Sequence, residues 1–150
     1  FRITENGHNY KIDLDKIILG KGIKIREGNN LTIIVTAPQL NTAINSLDKL
    51  QSLSYDPEII YIHTIIPLDE ELITNSIDKT KKVLVMEEHM EKGGLGDEII
   101  RLAIKLDNVK YSSISIPNTF ISNYGNYSQL KKSIGMTSEG LVNKVKEAFD

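Results

Sequence analysis

The clearest acid–base pattern in the sequence is a histidine that directly follows two glutamates. His89 comes after Glu87 and Glu88, and a carboxylate beside a histidine suits it to proton transfer near neutral pH. A metal site is not indicated, because the segment lacks the H-E-x-x-H spacing that places two histidines on one helix face. The alternative, which the local sequence favours over catalysis, is that His89 forms hydrogen bonds across a domain or subunit interface.

A glycine-rich turn lies four residues further along the chain. Residues 93–96 read Gly-Gly-Leu-Gly and fall between a predicted strand and a predicted helix, where phosphate-binding loops occur. The spacing fits neither G-x-G-x-x-G nor the P-loop, and Asp97 and Glu98 already place anions at the helix N-terminus. We therefore interpret three residues as allowing a turn and close helix packing: Gly93, Gly94 and Gly96.

Two more residues are weaker candidates. His63 falls at the end of a predicted strand, where a satisfied hydrogen-bonding role is expected. Arg2 is positioned to contact an anion if residues 1–16 enter from an upstream domain, but a solvated arginine is the favoured interpretation. We predict no catalytic, cofactor-binding or metal-ligating residue, and we name these as interface or active-site-facing candidates: Arg2, His63, Glu88, His89, Gly93, Gly94 and Gly96.

Composition excludes several classes of function. The 150 residues carry a net charge of −2, with 40% hydrophobic and 25% charged residues, so neither nucleic acid nor a membrane is an expected partner. The absence of cysteine excludes disulfides and thiol chemistry within these residues and agrees with a cytoplasmic location. The sequence starts with Phe1 rather than methionine, and we interpret it as part of a longer protein.

Short apolar runs alternate with amphipathic stretches from residue 31 onward. Buried strands are predicted where β-branched and apolar residues run together: 31–36, 59–62, 82–87 and 111–116. Helices are predicted from apolar residues at helical spacing and from capping residues such as Asp69 and Thr137: 40–50, 69–79, 94–107, 129–134 and 137–149.

This alternation predicts an α/β fold of three layers, αβα, with a mostly parallel sheet. Ile23 and Ile25 alternate with Lys24 and Arg26, which predicts a short antiparallel or edge strand. We expect one α/β domain at residues 17–150, preceded at 1–16 by an arm or a trace of another domain.

Ligands of open α/β sheets bind beside the carboxyl ends of the strands. The segments expected at that edge contain no lysine or arginine, and they contribute Glu87 and Glu88. An anionic ligand would therefore find little to hold it there.

The order of the motifs resembles the C-terminal domain of the transketolase family across residues 17–150. The resemblance depends on Gly-Lys-Gly at 20–22, His-Thr-Ile-Ile-Pro-Leu-Asp at 63–69, Glu-Glu-His at 87–89 and Ile-Pro-Asn-Thr-Phe at 116–120. The histidines at 63 and 89 are most similar to those of split transketolases, whose C-terminal subunit is a separate chain. Family members usually have Gly at Ala37, Lys at Ile66 and Asp-Arg at positions 118 and 119, so salt bridges made by those residues are in doubt here.

The resemblance implies upstream pyrimidine- and diphosphate-binding domains or a subunit that carries them, thiamine diphosphate and Mg²⁺ in the complete enzyme, and a homodimer. The family holds Mg²⁺ with a Gly-Asp-Gly…Asn-Asn motif. This chain has no Gly-Asp-Gly, so we expect it to bind no cofactor itself and to support dimerisation and domain assembly.

Three functional hypotheses follow. The first is a non-catalytic domain of an enzyme that transfers a two-carbon ketol unit between sugar phosphates. The second keeps the fold but assigns the chain to the β subunit of a 2-oxo-acid dehydrogenase. The third is a stand-alone module that binds a small regulatory ligand. The sequence leaves the substrate and the oligomeric state open.

Overall fold

Five strands and six α-helices, with a short 3-10 helix, make up the part of the chain that the computed structural model describes: residues 15, 17–119 and 124–150. The strands are β1 (Ile23–Arg26), β2 (Leu31–Val35), β3 (Pro57–Tyr61), β4 (Lys82–Met90) and β5 (Lys110–Ile116). The 3-10 helix is Ala37–Gln39, and the α-helices are α1 (Leu40–Asn45), α2 (Leu47–Ser52), α3 (Glu70–Thr80), α4 (Leu95–Ala103), α5 (Tyr127–Ser133) and α6 (Ser138–Phe149).

The strands form one sheet in the order β1-β3-β2-β4-β5. Strands β3, β2, β4 and β5 run parallel to one another, and β1 pairs with β3 in the antiparallel direction. The predicted α/β class, with a mostly parallel sheet and one short antiparallel edge strand, is confirmed. The predicted arm at residues 1–16, including Arg2, lies outside the described residues apart from Asp15.

Helices cover both faces of the sheet, which makes the three layers. All five residues of β2 are buried, because this central strand has helices above and below it. On one face α1, α2 and α6 pack against the sheet, with a core that includes Leu40, Leu50, Leu141 and Phe149. On the other face α3 and α4 enclose a second core that includes Ile73, Ile77, Leu95 and Ile99.

Both predicted helix caps are present. The Asp69 carboxylate accepts a hydrogen bond from the Leu72 amide at 3.4 Å, and the Thr137 hydroxyl oxygen accepts one from the Gly140 amide at 3.0 Å. These side chains satisfy donors that the first turn of a helix leaves free.

Several boundaries differ from the prediction by one or two residues, and three differences have a visible cause or extent. The helix expected over residues 40–50 is divided at Ser46, whose hydroxyl donates to the Ala43 carbonyl at 2.6 Å, and such side-chain bonds compete with the helical backbone pattern. Helix α4 ends at Ala103 rather than at residue 107, because the amides of Lys105 and Leu106 bond to carbonyls three residues back instead of four. Strand β4 continues to Met90, with an irregularity in its pairing with β5 between Met86 and Met90.

Candidate functional site

The carboxyl ends of β2, β3, β4 and β5 meet at one edge of the sheet, which we call the carboxyl edge. Parallel pairing brings them together, and this is the edge where ligands of open α/β sheets bind. His63 follows β3, whereas Glu88 and His89 lie on β4, and these two strands lie on either side of β2. The two strands are therefore two strand spacings apart, about 10 Å. His63 therefore belongs to a different part of the edge from Glu88 and His89.

Glu87 turns inward and binds the start of α4. Its side-chain oxygens accept hydrogen bonds from the backbone amides of Leu95 and Gly96, each at 2.7 Å, and the residue is only 2% exposed. Free amides and the helix dipole make a helix N-terminus a favourable place for an anion. In this chain the anion is supplied by the preceding strand, so the N-terminus of α4 is occupied from within.

The glycines at the start of α4 make room for this carboxylate. A Cβ at Gly94 would overlap the Glu87 carboxylate, and a Cβ at Gly96 would lie 2.8 Å from the Tyr111 hydroxyl and 3.2 Å from Glu87. Gly93 has a φ of +79°, and its amide donates to Asp97 at 2.7 Å. The turn therefore packs closely around the carboxylates of Glu87 and Asp97.

Tyr111 closes the outer side of this turn. Its hydroxyl donates to the Gly96 carbonyl at 3.2 Å. Burial raises the pKa of the Tyr111 phenol above its ordinary value of 10.0, and the carboxylates of Glu87 and Asp97 act in the same direction. The phenol is therefore a hydrogen-bond donor at neutral pH.

Glu88 and His89 bond to other parts of the chain than this buried turn. The Glu88 carboxylate accepts a hydrogen bond from the Tyr127 hydroxyl at 3.1 Å, which ties the start of α5 to the end of β4. His89 is exposed, and its Nδ1 donates to the Met90 carbonyl at 2.9 Å. The structure thus gives Glu88 a partner in α5, whereas His89 bonds to the backbone of the next residue.

Helix α5 places Tyr127 and Lys131 near Glu88, which local sequence patterns do not indicate. The Lys131 ammonium lies 5.3 Å from the centre of the Tyr127 ring, and burial lowers the pKa of Lys131, while the Glu88 charge acts in the opposite direction. Tyr127 and Glu88 are 39 residues apart in the chain, so no local pattern connects them.

His63 is only half satisfied at the end of β3. Its Nδ1 lies 2.8 Å from the Thr64 hydroxyl, and its ring lies 6.0 Å from the ring of Tyr61 at 48°. The other nitrogen, Nε2, is buried without a hydrogen-bond partner among the described residues. The satisfied role expected for His63 therefore holds for one nitrogen and not for the other.

Asp69 organises the loop that follows β3. Besides capping α3, its carboxylate accepts a hydrogen bond from the Gly22 amide at 3.1 Å and forms an ion pair with Lys21 at 3.4 Å. The sequence indicated the cap but not these two contacts, which join residues almost fifty positions apart. The N-terminus of α3, like that of α4, is bound by an acidic side chain of this chain.

Two further findings concern metals and membranes. Within residues 15, 17–119 and 124–150, no three side chains of His, Cys, Asp or Glu are grouped so that they could hold a metal ion. No helix in that same part of the chain is both long and apolar enough to cross a membrane.

Comparisons with known proteins agree on one family. The sequence profile of "Transketolase, C-terminal domain" matches residues 20–141. A 1-deoxy-D-xylulose-5-phosphate synthase of Lachnoclostridium phytofermentans is 30% identical over 132 residues, which are 87% of this chain and 21% of that protein. The synthase of Heliobacterium modesticaldum is 26% identical over 140 residues, 92% of this chain and 21% of that protein. The chain therefore spans about a fifth of the length of these curated relatives.

Two solved structures share the fold. One is described as a split gene transketolase, inactive beta4 tetramer, with a TM-score of 0.82 at 21% identity over 91% of this chain and 45% of that chain. The other is a transketolase from Campylobacter jejuni, with a TM-score of 0.63 at 11% identity over 85% of this chain and 18% of that chain. At these identities the structures establish the fold, while the matching profile extends over most of the sequence. The chain belongs to the transketolase C-terminal domain family, as its ordered motifs indicated.

Proposed function

We propose that this chain is a non-catalytic domain of a thiamine-diphosphate enzyme, where it supports domain assembly and a homodimer. Glu87 carries the proposal. It occupies the N-terminus of α4 at the carboxyl edge, the position at which an α/β domain would otherwise bind the phosphate of a ligand. A domain that binds its own carboxylate there is better suited to a structural role than to anion binding.

The described residues do not fit the diphosphate of thiamine diphosphate. The helix N-termini of α3 and α4 are bound by the carboxylates of Asp69 and Glu87, and these charges would repel a diphosphate. This disagreement supports a complete enzyme in which upstream domains, or a subunit that carries them, hold the cofactor and Mg²⁺. The cytoplasmic location stays a prediction.

For the complete enzyme we propose transfer of a two-carbon ketol unit between sugar phosphates. The names of the curated relatives favour a second candidate, the formation of 1-deoxy-D-xylulose 5-phosphate. The 2-oxo-acid dehydrogenase β subunit remains a further candidate because it keeps the same fold. Three assays on the complete enzyme with thiamine diphosphate and Mg²⁺ would separate these reactions.

A test of the non-catalytic role uses His63→Ala and His89→Ala in the complete enzyme. General acid–base groups contribute about 10²- to 10⁴-fold to a rate, so we expect either substitution to lower kcat by less than about tenfold. A loss of more than about 100-fold in a fully assembled, cofactor-loaded enzyme would contradict the proposal. Binding of a small effector at the carboxyl edge, abolished by Gly94→Asp, would instead favour the regulatory module.

A further inference from the structure

A lysine of α5, a tyrosine one turn before it and a glutamate of β4 form a cluster at the surface. The Lys131 ammonium lies 5.3 Å from the centre of the Tyr127 ring, and the Tyr127 hydroxyl donates to the Glu88 carboxylate at 3.1 Å. We call these three residues the lysine cluster. Residues four positions apart share one face of a helix, so the sequence of α5 holds the ring beside the amine.

Lys131 is more buried than the next lysine of the same helix. Lys131 is half-buried, whereas Lys132 is exposed. Ammonium groups are strongly hydrated, so burial favours the neutral amine and lowers the pKa of Lys131, although the Glu88 charge acts in the opposite direction. The neutral amine has the lone pair that attacks a carbonyl carbon, and a desolvated lysine is therefore suited to nucleophilic chemistry.

The charge of the product decides which carbonyl compound the lysine cluster suits. An acyl donor would convert the amine into a neutral amide, which gains nothing from the Glu88 carboxylate. An aldehyde would convert it into a protonated imine, which keeps the positive charge that Glu88 stabilises. The protonated imine is also planar, and planar cations such as the arginine guanidinium stack on aromatic faces. Both neighbours of Lys131 therefore favour an aldehyde.

From this arrangement we propose that Lys131 is a modification site that forms an imine with small aldehydes. The ammonium first loses a proton to water, and the nitrogen lone pair then attacks the aldehyde carbon. The carbonyl oxygen takes up two protons, one from the nitrogen and one from water, and it leaves as water while the carbon–nitrogen double bond forms. One ammonium and one aldehyde thus give one protonated imine and one water, without oxidation or reduction. The proposal is independent of the activity of the complete enzyme.

The experiment measures reductive alkylation of the complete enzyme with acetaldehyde and cyanoborohydride near neutral pH. Cyanoborohydride reduces protonated imines to stable secondary amines, so peptide mass spectrometry reports how fast each lysine forms an imine. Lys132 is the matched control, because it is the next residue of α5 and is exposed. Each unit by which a pKa falls gives about tenfold more neutral amine, so we expect Lys131 to be labelled at least about fivefold faster than Lys132.

Two substitutions test whether the lysine cluster causes this difference. Tyr127→Phe keeps the aromatic ring and removes the bond to Glu88, and we expect Lys131 to remain the faster site. Tyr127→Leu removes the ring, and we expect the ratio of the two labelling rates to fall about two- to fivefold. Tyr127 is 40% exposed, so both variants should fold, which circular dichroism checks.

Three results would overturn the proposal. The first is equal or slower labelling of Lys131 in the wild-type enzyme. The second is a preference for Lys131 that is undiminished in Tyr127→Leu, because the lysine cluster would then not produce the reactivity. The third comes from the pH profile. The ratio of the two rates should shrink as the pH rises toward 10.5, the ordinary lysine pKa, because exposed lysines then also become neutral amines, and a constant ratio would contradict this expectation.

Discussion

Two buried glutamates lie at opposite edges of the sheet, and the chain compensates their charges in different ways. Glu58, near the amino end of β3, is 0% exposed, and Glu87, near the carboxyl end of β4, is 2% exposed. Glu58 forms ion pairs with Lys79 of α3 and with Lys24 of β1, the latter at 3.5 Å. Glu87 accepts hydrogen bonds from backbone amides of α4.

The two buried carboxylates are therefore stabilised by different groups, lysine side chains at the amino edge and backbone amides at the carboxyl edge. At the amino edge the lysines are themselves linked to Glu27, and this network joins a strand, a helix and the edge strand. At the carboxyl edge the helix N-terminus stabilises Glu87 without any cation. Side-chain substitution removes a lysine but leaves a backbone amide in place, so the two arrangements should respond differently to mutation.

The largest effect is expected for Glu87→Ala. The substitution leaves the amides of Leu95 and Gly96 buried without partners and opens a cavity, and hydrogen bonds to charged groups contribute about 1.5–3 kcal/mol each. We expect the free energy of unfolding to fall by about 3–5 kcal/mol, measured by chemical denaturation. Glu88→Ala is the control, and it should cost less than about 1 kcal/mol because the bond from Tyr127 to Glu88 lies at the surface.

A smaller loss is expected for Gly94→Ala, because the new methyl group would overlap the Glu87 carboxylate. Overpacking of this kind costs about 2–3 kcal/mol. Gly93→Ala tests the alternative that only backbone conformation matters. Its Cβ would meet nothing within 4 Å, so the positive φ alone should cost about 1 kcal/mol. If thermal unfolding shows equal losses for the two variants, the close fit around Glu87 is not what requires glycine.

The smallest effect is expected for Lys79→Met at the amino edge. Burial raises the pKa of Glu58, but Lys79, Ser76 and Lys24 outweigh it and hold that pKa below its ordinary value of 4.5. Without Lys79 the buried Glu58 carboxylate keeps its longer ion pair with Lys24, at 3.5 Å. Because Lys79 is 39% exposed, solvent screens the pair, and we expect a loss of about 1–2 kcal/mol near neutral pH.

The pH dependence of that variant sharpens the comparison. A carboxyl whose pKa is lowered by folding contributes stability above its unfolded pKa, and this contribution is lost as the pH falls through the folded pKa. The difference between wild type and Lys79→Met should therefore shrink below pH 4.5, as followed by urea denaturation across the pH range. Lys81→Met removes an exposed pair with Asp78 and should change little at any pH, and a constant loss for Lys79→Met would exclude the ion pair as its cause.

Sequence patterns predicted those parts of the fold whose causes are local. The run of β-branched residues identified β2, and the positions of Asp69 and Thr137 identified the starts of α3 and α6, because a cap bonds within its own first turn. The alternation of Ile23 and Ile25 with charged residues indicated β1. These signals depend on neighbours in the chain, so they can be recognised without knowledge of the fold.

The candidate site was less accessible to the same reasoning because its contacts join distant residues. The acidic residues at 87 and 88 look alike in the sequence, but Glu87 shares the face of Val83 and Val85, which α4 covers, while Glu88 meets Tyr127. Alternation along β4 contained a signal for the direction of Glu87, but not the identity of the helix above it. The pairing of Lys21 with Asp69 depends on β1 lying beside β3, which no local pattern indicates.

The bond between Glu87 and α4 also has a consequence for the order in which the chain folds. It joins residues only eight and nine positions apart, whereas Glu58 and Lys79 are separated by 21. Loop-closure entropy grows with the logarithm of loop length, so the shorter loop closes at a cost lower by about 0.8 kcal/mol. We expect the turn between β4 and α4 to form early, as a local nucleus onto which the more distant strands are added.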